Sequence, residues 1–218
     1  MAGFSRDVRR RELAAILLFA AITQFALAAN ISEAVYPGYS IRNTLLSDLG
    51  VWGQPAAPLF NASLVAFGIL GLGVGFLTWG DRELTFIPLL FALCGTGMLI
   101  MATFPITVDW AHDAGAFLAF VLIALAMMCC YWTYPGPFGS ISMLLGVFAL
   151  ITMVLYKAQI DFGLGLGSME RVFVYPIMMW MAAFGTALFM VEEDPEANSL
   201  LHRFFGWASR SVKGHRSN

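Results

Sequence analysis

The chain has 218 residues, 59% of them hydrophobic and 12% charged, with a mean hydropathy of +0.76 and a formal net charge of −2. A soluble domain carries about 25% charged residues, and here the charges sit in short clusters between long charge-free runs. That distribution excludes an ordinary soluble globule and marks a polytopic integral membrane protein.

A basic segment, residues 1–12, leads into six apolar runs that predict a membrane domain over 13–191, followed by a tail over 192–218. The runs are Leu13–Ile31, Pro58–Thr78, Phe86–Thr103, Asp113–Thr133, Ser140–Lys157 and Arg171–Val191. Each is near the 20 residues a helix needs to cross about 30 Å of hydrocarbon. Barrel strands would be shorter and alternating, so the expected fold is all-α: a six-transmembrane-helix bundle. The breaks between runs carry Gly, Pro or charge, as in "WGDRELT", "FPITVDWAH", "YPGPFGS" and "IDFGLGLGSME".

The first run resembles a secretory signal, with arginines before it and "FALAAN" near its end. It exceeds the usual signal core and is read as an uncleaved anchor; cleavage at Ala26–Ala28 would leave five spans in the same orientation. Orientation follows from the basic residues. Arg6, Arg9, Arg10, Arg11, Arg82, Arg203, Arg210, Lys213 and Arg216 lie on one side, and Arg42, Lys157 and Arg171 on the other. Both termini are therefore expected in the cytoplasm of a cell (inner) membrane protein. Leu200, Leu201, Phe204, Phe205 and Trp207 near Arg203 and Arg210 suit a short amphipathic helix on the inner leaflet.

Gly71 and Gly75, with Gly68 and Gly73 nearby, and Gly95, Gly97, Gly115 and Ala119 offer small surfaces for close helix approach. Internal packing is the expectation, with a homo-oligomer or partner membrane protein as the alternative. Cys94, Cys129 and Cys130 all lie within runs, and an odd count there suggests neither a disulfide framework nor a metal site. No basic aromatic stripe is present, so no nucleic-acid partner is expected.

Between the first two runs, "YSIRNTLLSDLG" packs Arg42, Asn43, Thr44, Ser47 and Asp48 close together. A short interfacial helix is expected there, capped by Ser40 and ended by Gly50. Arg42 falls on its leucine face and must either snorkel or meet an acid, Asp109, Asp113 or Glu170. Asp109, His112 and Asp113 are spaced for one helical face. A carboxylate beside an imidazole is the minimum for general acid–base work near neutral pH, with His112 as the candidate acid–base group and Asp109 or Asp113 holding its tautomer. Helix capping by the two acids is the alternative. Ser168 is placed to cap the last run, leaving Glu170 in its first turn, whereas Arg171 opposes the helix dipole there and needs a partner. "NAS" at Asn61–Ser63 fits a glycosylation acceptor but lies within a run.

Nearly every ionisable group outside the cytoplasmic segments thus gathers near one face, a functional hypothesis in itself. The expected site is a ligand-binding pocket of Arg42, Asn43, Ser47, Asp48, Glu170 and Arg171, in which the arginines hold an anionic lipid or head group. Two alternatives remain: an accessory subunit whose polar edge only caps helices, and a small-solute or proton transporter. The second is opposed by the lack of ionisable residues at mid-depth.

In order, "YSIRNTLLSDLG", "PAAPLFNASL", "FPITVDWAHDAGA" and "GSMERVFVYPIMMW" resemble the membrane family catalogued as domain of unknown function 998. Ser47, Asp48 and Gly50, then Phe104, Pro105 and His112, then Glu170, Arg171, Tyr175, Pro176 and Trp180 carry the likeness. A more distant similarity runs to the eukaryotic DRAM and Frag/Sfk-type proteins. The resemblance implies the six-span fold over nearly the whole chain and no particular activity. The chain departs from the zinc-dependent membrane hydrolases that also use Ser, Asp and His, because its last span has no His-x-x-x-His pair. With one histidine outside the tail, a three-histidine metal site cannot be built, and no cofactor is expected.

Overall fold

The computed structural model describes residues 2–190, with side chains from residue 7 onward; the expected tail helix lies outside the described residues. Among those residues there is no strand. Helix α1 runs Ala2–Val35, α2 Ala57–Thr78, α3 Ile87–Thr103 and α4 Asp109–Ala116. A π-helical turn, Phe117–Val121, carries α4 into α5, Leu122–Thr133. Helices α6, Pro137–Lys157, and α7, Leu166–Phe189, complete the chain.

Asp7–Val35, α2, Asp109–Thr133, α6 and α7 are long and apolar enough to cross a membrane. The sixth apolar segment, α3, has 17 residues. At 1.5 Å per residue it reaches about 25 Å, a little short of the hydrocarbon core. The protein is a polytopic helical membrane bundle. Its outward surface is correspondingly apolar: Phe76, Leu144, Val154 and Met179 are among the many large hydrophobic side chains left exposed, the reverse of a soluble protein's rule.

The helices form a ring in chain order, each packed on the next, and α7 returns to pack on α1. Glycine permits the closest of these contacts, all of them internal. A methyl on Gly95 would stand 2.6 Å from the carbonyl of Gly68, and one on Gly97 would stand 2.5 Å from both the Ala119 amide and the Gly115 carbonyl. With no hydrophobic force between helices in lipid, such backbone approach supplies the packing energy. Phe91, Trp180 and Phe184 stack with centroids 5.1–6.3 Å apart. They fill the ring toward the end that carries Arg11, and the Trp180 indole donates to Ser142 Oγ at 2.8 Å.

At that end Arg11, buried, donates through Nε and Nη2 to Asp81 and through Nη2 to Glu83 at 2.8 Å. The fork ties α1 to the α2–α3 loop. It stands at the opposite end of the bundle from Glu170.

Two boundaries differ from expectation. The interfacial helix is shorter than expected: residues 40–46 hold no helix, and only Ser47–Gly50 forms one, of 3₁₀ type. Ser40 and Asp48 spend their groups on local turns, the Ser40 carbonyl accepting from Thr44 N at 2.7 Å and Asp48 from Leu45 N at 2.8 Å. Helix α7 begins earlier than expected, at Leu166 after Gly165 in a left-handed conformation (φ +87°). Ser168 therefore sits inside the first turn, and Glu170 and Arg171 fall in the second.

Candidate functional site

The site is built where the 40–50 segment lies across the start of α7. Gly167 N donates to the Arg42 carbonyl at 3.0 Å. Gly167 is pressed so close that a Cβ would meet the carbonyls of Ile41 and Thr44 at 2.5 Å. Two side chains of α7 then fasten the segment.

Glu170, buried, accepts from Leu46 N, from Ser47 N at 3.3 Å and from Ser47 Oγ at 2.7 Å. Leu46 and Ser47 open the 3₁₀ turn, so their amides are among the donors that a helix start leaves unpaired. Glu170 acts as that turn's cap from 123 residues away in sequence.

Arg171, also buried, turns the other way. Its Nη1 donates to the carbonyls of Thr44 (3.0 Å) and Gly167 (2.7 Å), and its Nη2 to Glu33 Oε1 (2.8 Å) and the Tyr39 hydroxyl. The guanidinium lies 5.7 Å from the centroid of the Tyr39 ring, within cation–π range. Burial and the Glu33 carboxylate push the Tyr39 phenol above its ordinary range, so it stays neutral beside the cation.

Arg171 thus has the acidic partner its position calls for, Glu33 on α1, whereas none of Asp109, Asp113 and Glu170 forms an ion pair with Arg42 among the described residues. Arg42 is exposed, as is Asn43. The expected pair of guanidiniums around one anion is therefore not assembled: one points outward from the loop, and the other is committed to the α1–α7 junction.

His112 lies on α4, buried, with Nδ1 2.9 Å from the Phe104 carbonyl. Only a protonated nitrogen can donate to a carbonyl, so Nδ1 carries the hydrogen and neutral His112 keeps its lone pair on Nε2. Here the expectation is corrected. The backbone at the end of α3 fixes the tautomer, because Asp109 and Asp113 face outward and are exposed. Asp113 instead pairs with Lys157, both about half exposed.

Ser47, Glu170 and His112 line one narrow cavity inside the ring. Its polar lining is confined to one end, where Asn61 joins these three; the rest is apolar, including Phe67, Met98, Ile123 and Met181. From Glu170 to Met181 along α7 the cavity descends roughly 16 Å at 1.5 Å per residue. Asn61 donates to the Gly50 carbonyl at 2.9 Å, while its Oδ1 is buried without a donor. That engagement also removes Asn61 from any role as a glycosylation acceptor.

A second, smaller cavity shares Ser47, His112, Phe120 and Glu170 as its wall and extends to Asp113 and Lys157. It forms a vestibule between the buried polar groups and the surface ion pair. Among the described residues no three His, Cys, Asp or Glu side chains gather as a metal site.

Sequence reasoning missed Glu33, Tyr39 and the vestibule position of Lys157. For Glu33 a signal existed, since an acid in the last turn of a long helix opposes the dipole as Arg171 does at the start of one. The π-turn beside the cavity carries none. Residues 14–187 match the family described as protein of unknown function (DUF998), and the chain belongs to that family. No curated protein and no solved structure matches it.

Proposed function

We propose that this membrane protein binds an amphipathic lipid, its apolar tail in the central cavity and its polar end among Ser47, Asn61, His112 and Glu170. The observation that carries the reading is the one-ended polarity of a deep apolar chamber, the form a site for a tailed molecule takes. The buried Asn61 Oδ1 calls for a donor such as a ligand hydroxyl or amine. The head group occupies the vestibule. There Lys157, paired with Asp113, is the cation on the wall, so an anionic head group is held by Lys157 in place of Asp113 and not by Arg42 or Arg171. The basic-residue bias supports an extracytoplasmic position for this end, in a cell membrane.

A second reading, remodelling of the bound head group, draws on His112. The lone pair on Nε2, on a wall shared with Ser47 and Glu170, suits a general base near neutral pH.

Native mass spectrometry of the detergent-purified protein tests binding. Wild type is expected to retain a lipid that Met98→Trp, which fills the chamber, loses without a fall in thermal stability. Lys157→Ala is expected to shift the retained population away from anionic species. A bare wild-type mass, or an unchanged lipid complement in Met98→Trp, overturns the proposal. For remodelling, His112→Ala should retain a chemically different lipid from wild type; an identical one removes that reading.

A further inference from the structure

The cavity has a second neighbour on its membrane side. Between α1 and α7 a groove is lined by Ile22, Ala26 and Ala29 on one flank and Met178, Met179 and Ala182 on the other. Met179 is 74% exposed, so the groove faces the region that lipid tails occupy. Its polar side chains, Asn30, Glu33 and Tyr175, lie toward its Glu170 end, where head groups would be.

Three side chains, Phe25, Leu46 and Met178, line both this groove and the central cavity. Among the described residues they are the whole shared lining, and all are apolar. Methionine is the most adaptable of core side chains, and Met178 is only half-buried. Two residues before it, Pro176 lies inside α7. It has no N–H for the Val172 carbonyl and so weakens the helix where the partition stands.

We propose that the α1–α7 groove is a docking site for a bilayer lipid, whose acyl chain passes sideways between Phe25, Leu46 and Met178 into the central cavity. This rests on the lipid-binding reading above and adds the route and the source: the ligand comes from the surrounding leaflet, not from water through the vestibule. The groove's apolar length, its polar end and its continuity with the chamber match a lipid better than a second copy of the chain, which would leave Glu33 and Asn30 against apolar surface. Leu46 also links route to site, because its amide donates to Glu170 while its side chain forms the partition.

A kinetic experiment separates route from binding. The full chain in nanodiscs is mixed with phosphatidylglycerol–phosphatidylethanolamine vesicles carrying a diazirine-tagged acyl chain. Photolabelling of the peptides bearing Met98 and Ile123 is then followed over time. Ala26→Trp with Ala182→Trp fills the groove without touching the chamber, and is expected to slow labelling about tenfold, the effect of about 1.4 kcal/mol on the barrier, with the same final extent. Met153→Trp, which fills the vestibule where the head group comes to rest, is expected to lower the final extent of labelling and to leave the initial rate unchanged. Slowing by Met153→Trp alone, or by neither change, overturns the lateral route while binding stands. Absence of cavity labelling at any time in wild type overturns the binding reading, and the route with it.

Discussion

Glu170 and Arg171 are adjacent in sequence and opposite in task. Glu170 satisfies two backbone amides and one hydroxyl in the 46–47 turn. Removing it leaves buried donors unpaired at about 1–3 kcal/mol each. Glu170→Ala should therefore lower the unfolding midpoint in detergent markedly. Glu170→Gln, which keeps an acceptor in place, should cost less than half as much. Arg171 holds Glu33, whose side chain is 17% exposed. Arg171→Met should destabilise by about 3–5 kcal/mol, because an uncompensated charge is left behind. Adding Glu33→Gln should restore much of that loss, and a double-mutant cycle in thermal unfolding measures the coupling. Additive effects would mean that the two side chains do not interact. This pair also marks where sequence stopped being sufficient. That Arg171 needed a partner was legible from its place near a helix start, whereas which acid met it depended on α7 returning to α1.

The elements were legible in proportion to their length. Runs of some twenty apolar residues fixed the helices of the bundle, and the polar breaks fixed their loops. The short structures were not legible. The pattern of Ile41, Leu45, Leu46 and Leu49 suits an amphipathic helix, yet the segment is turns and a 3₁₀ piece. Its amides are satisfied by α7 and by Asp48, so tertiary hydrogen bonds outcompete a local helix too short to hold itself. The small-residue positions could be read, and their contacts are internal. Gly97→Ala would set a methyl 2.5 Å from two backbone atoms of the facing segment, which cannot rotate away as a side chain can. It should destabilise by about 1–3 kcal/mol. Gly80→Ala, with open space around its Cβ but a φ of +82°, should show only backbone strain. Equal midpoints for Gly97→Ala and wild type would mean that the two helices are farther apart.

For the whole molecule, the gathering of polar residues at one end was readable from loop composition, and Ser47, Glu170 and His112 do share a cavity wall. The chamber behind them was not readable, because an empty space inside a ring leaves no trace in a string of apolar residues. The closing contact, α7 on α1, joins the two ends of the described chain. Glu33 and Arg171 are 138 residues apart. At translation speeds of about 5–20 residues per second, Glu33 leaves the ribosome roughly 7–30 s before its cation does. During that interval a carboxylate at the rim of the bilayer has only water or lipid head groups for company, and the chamber lacks a wall. Nascent chains that stall before α7 would present such an open, half-charged bundle to the quality-control machinery of the membrane.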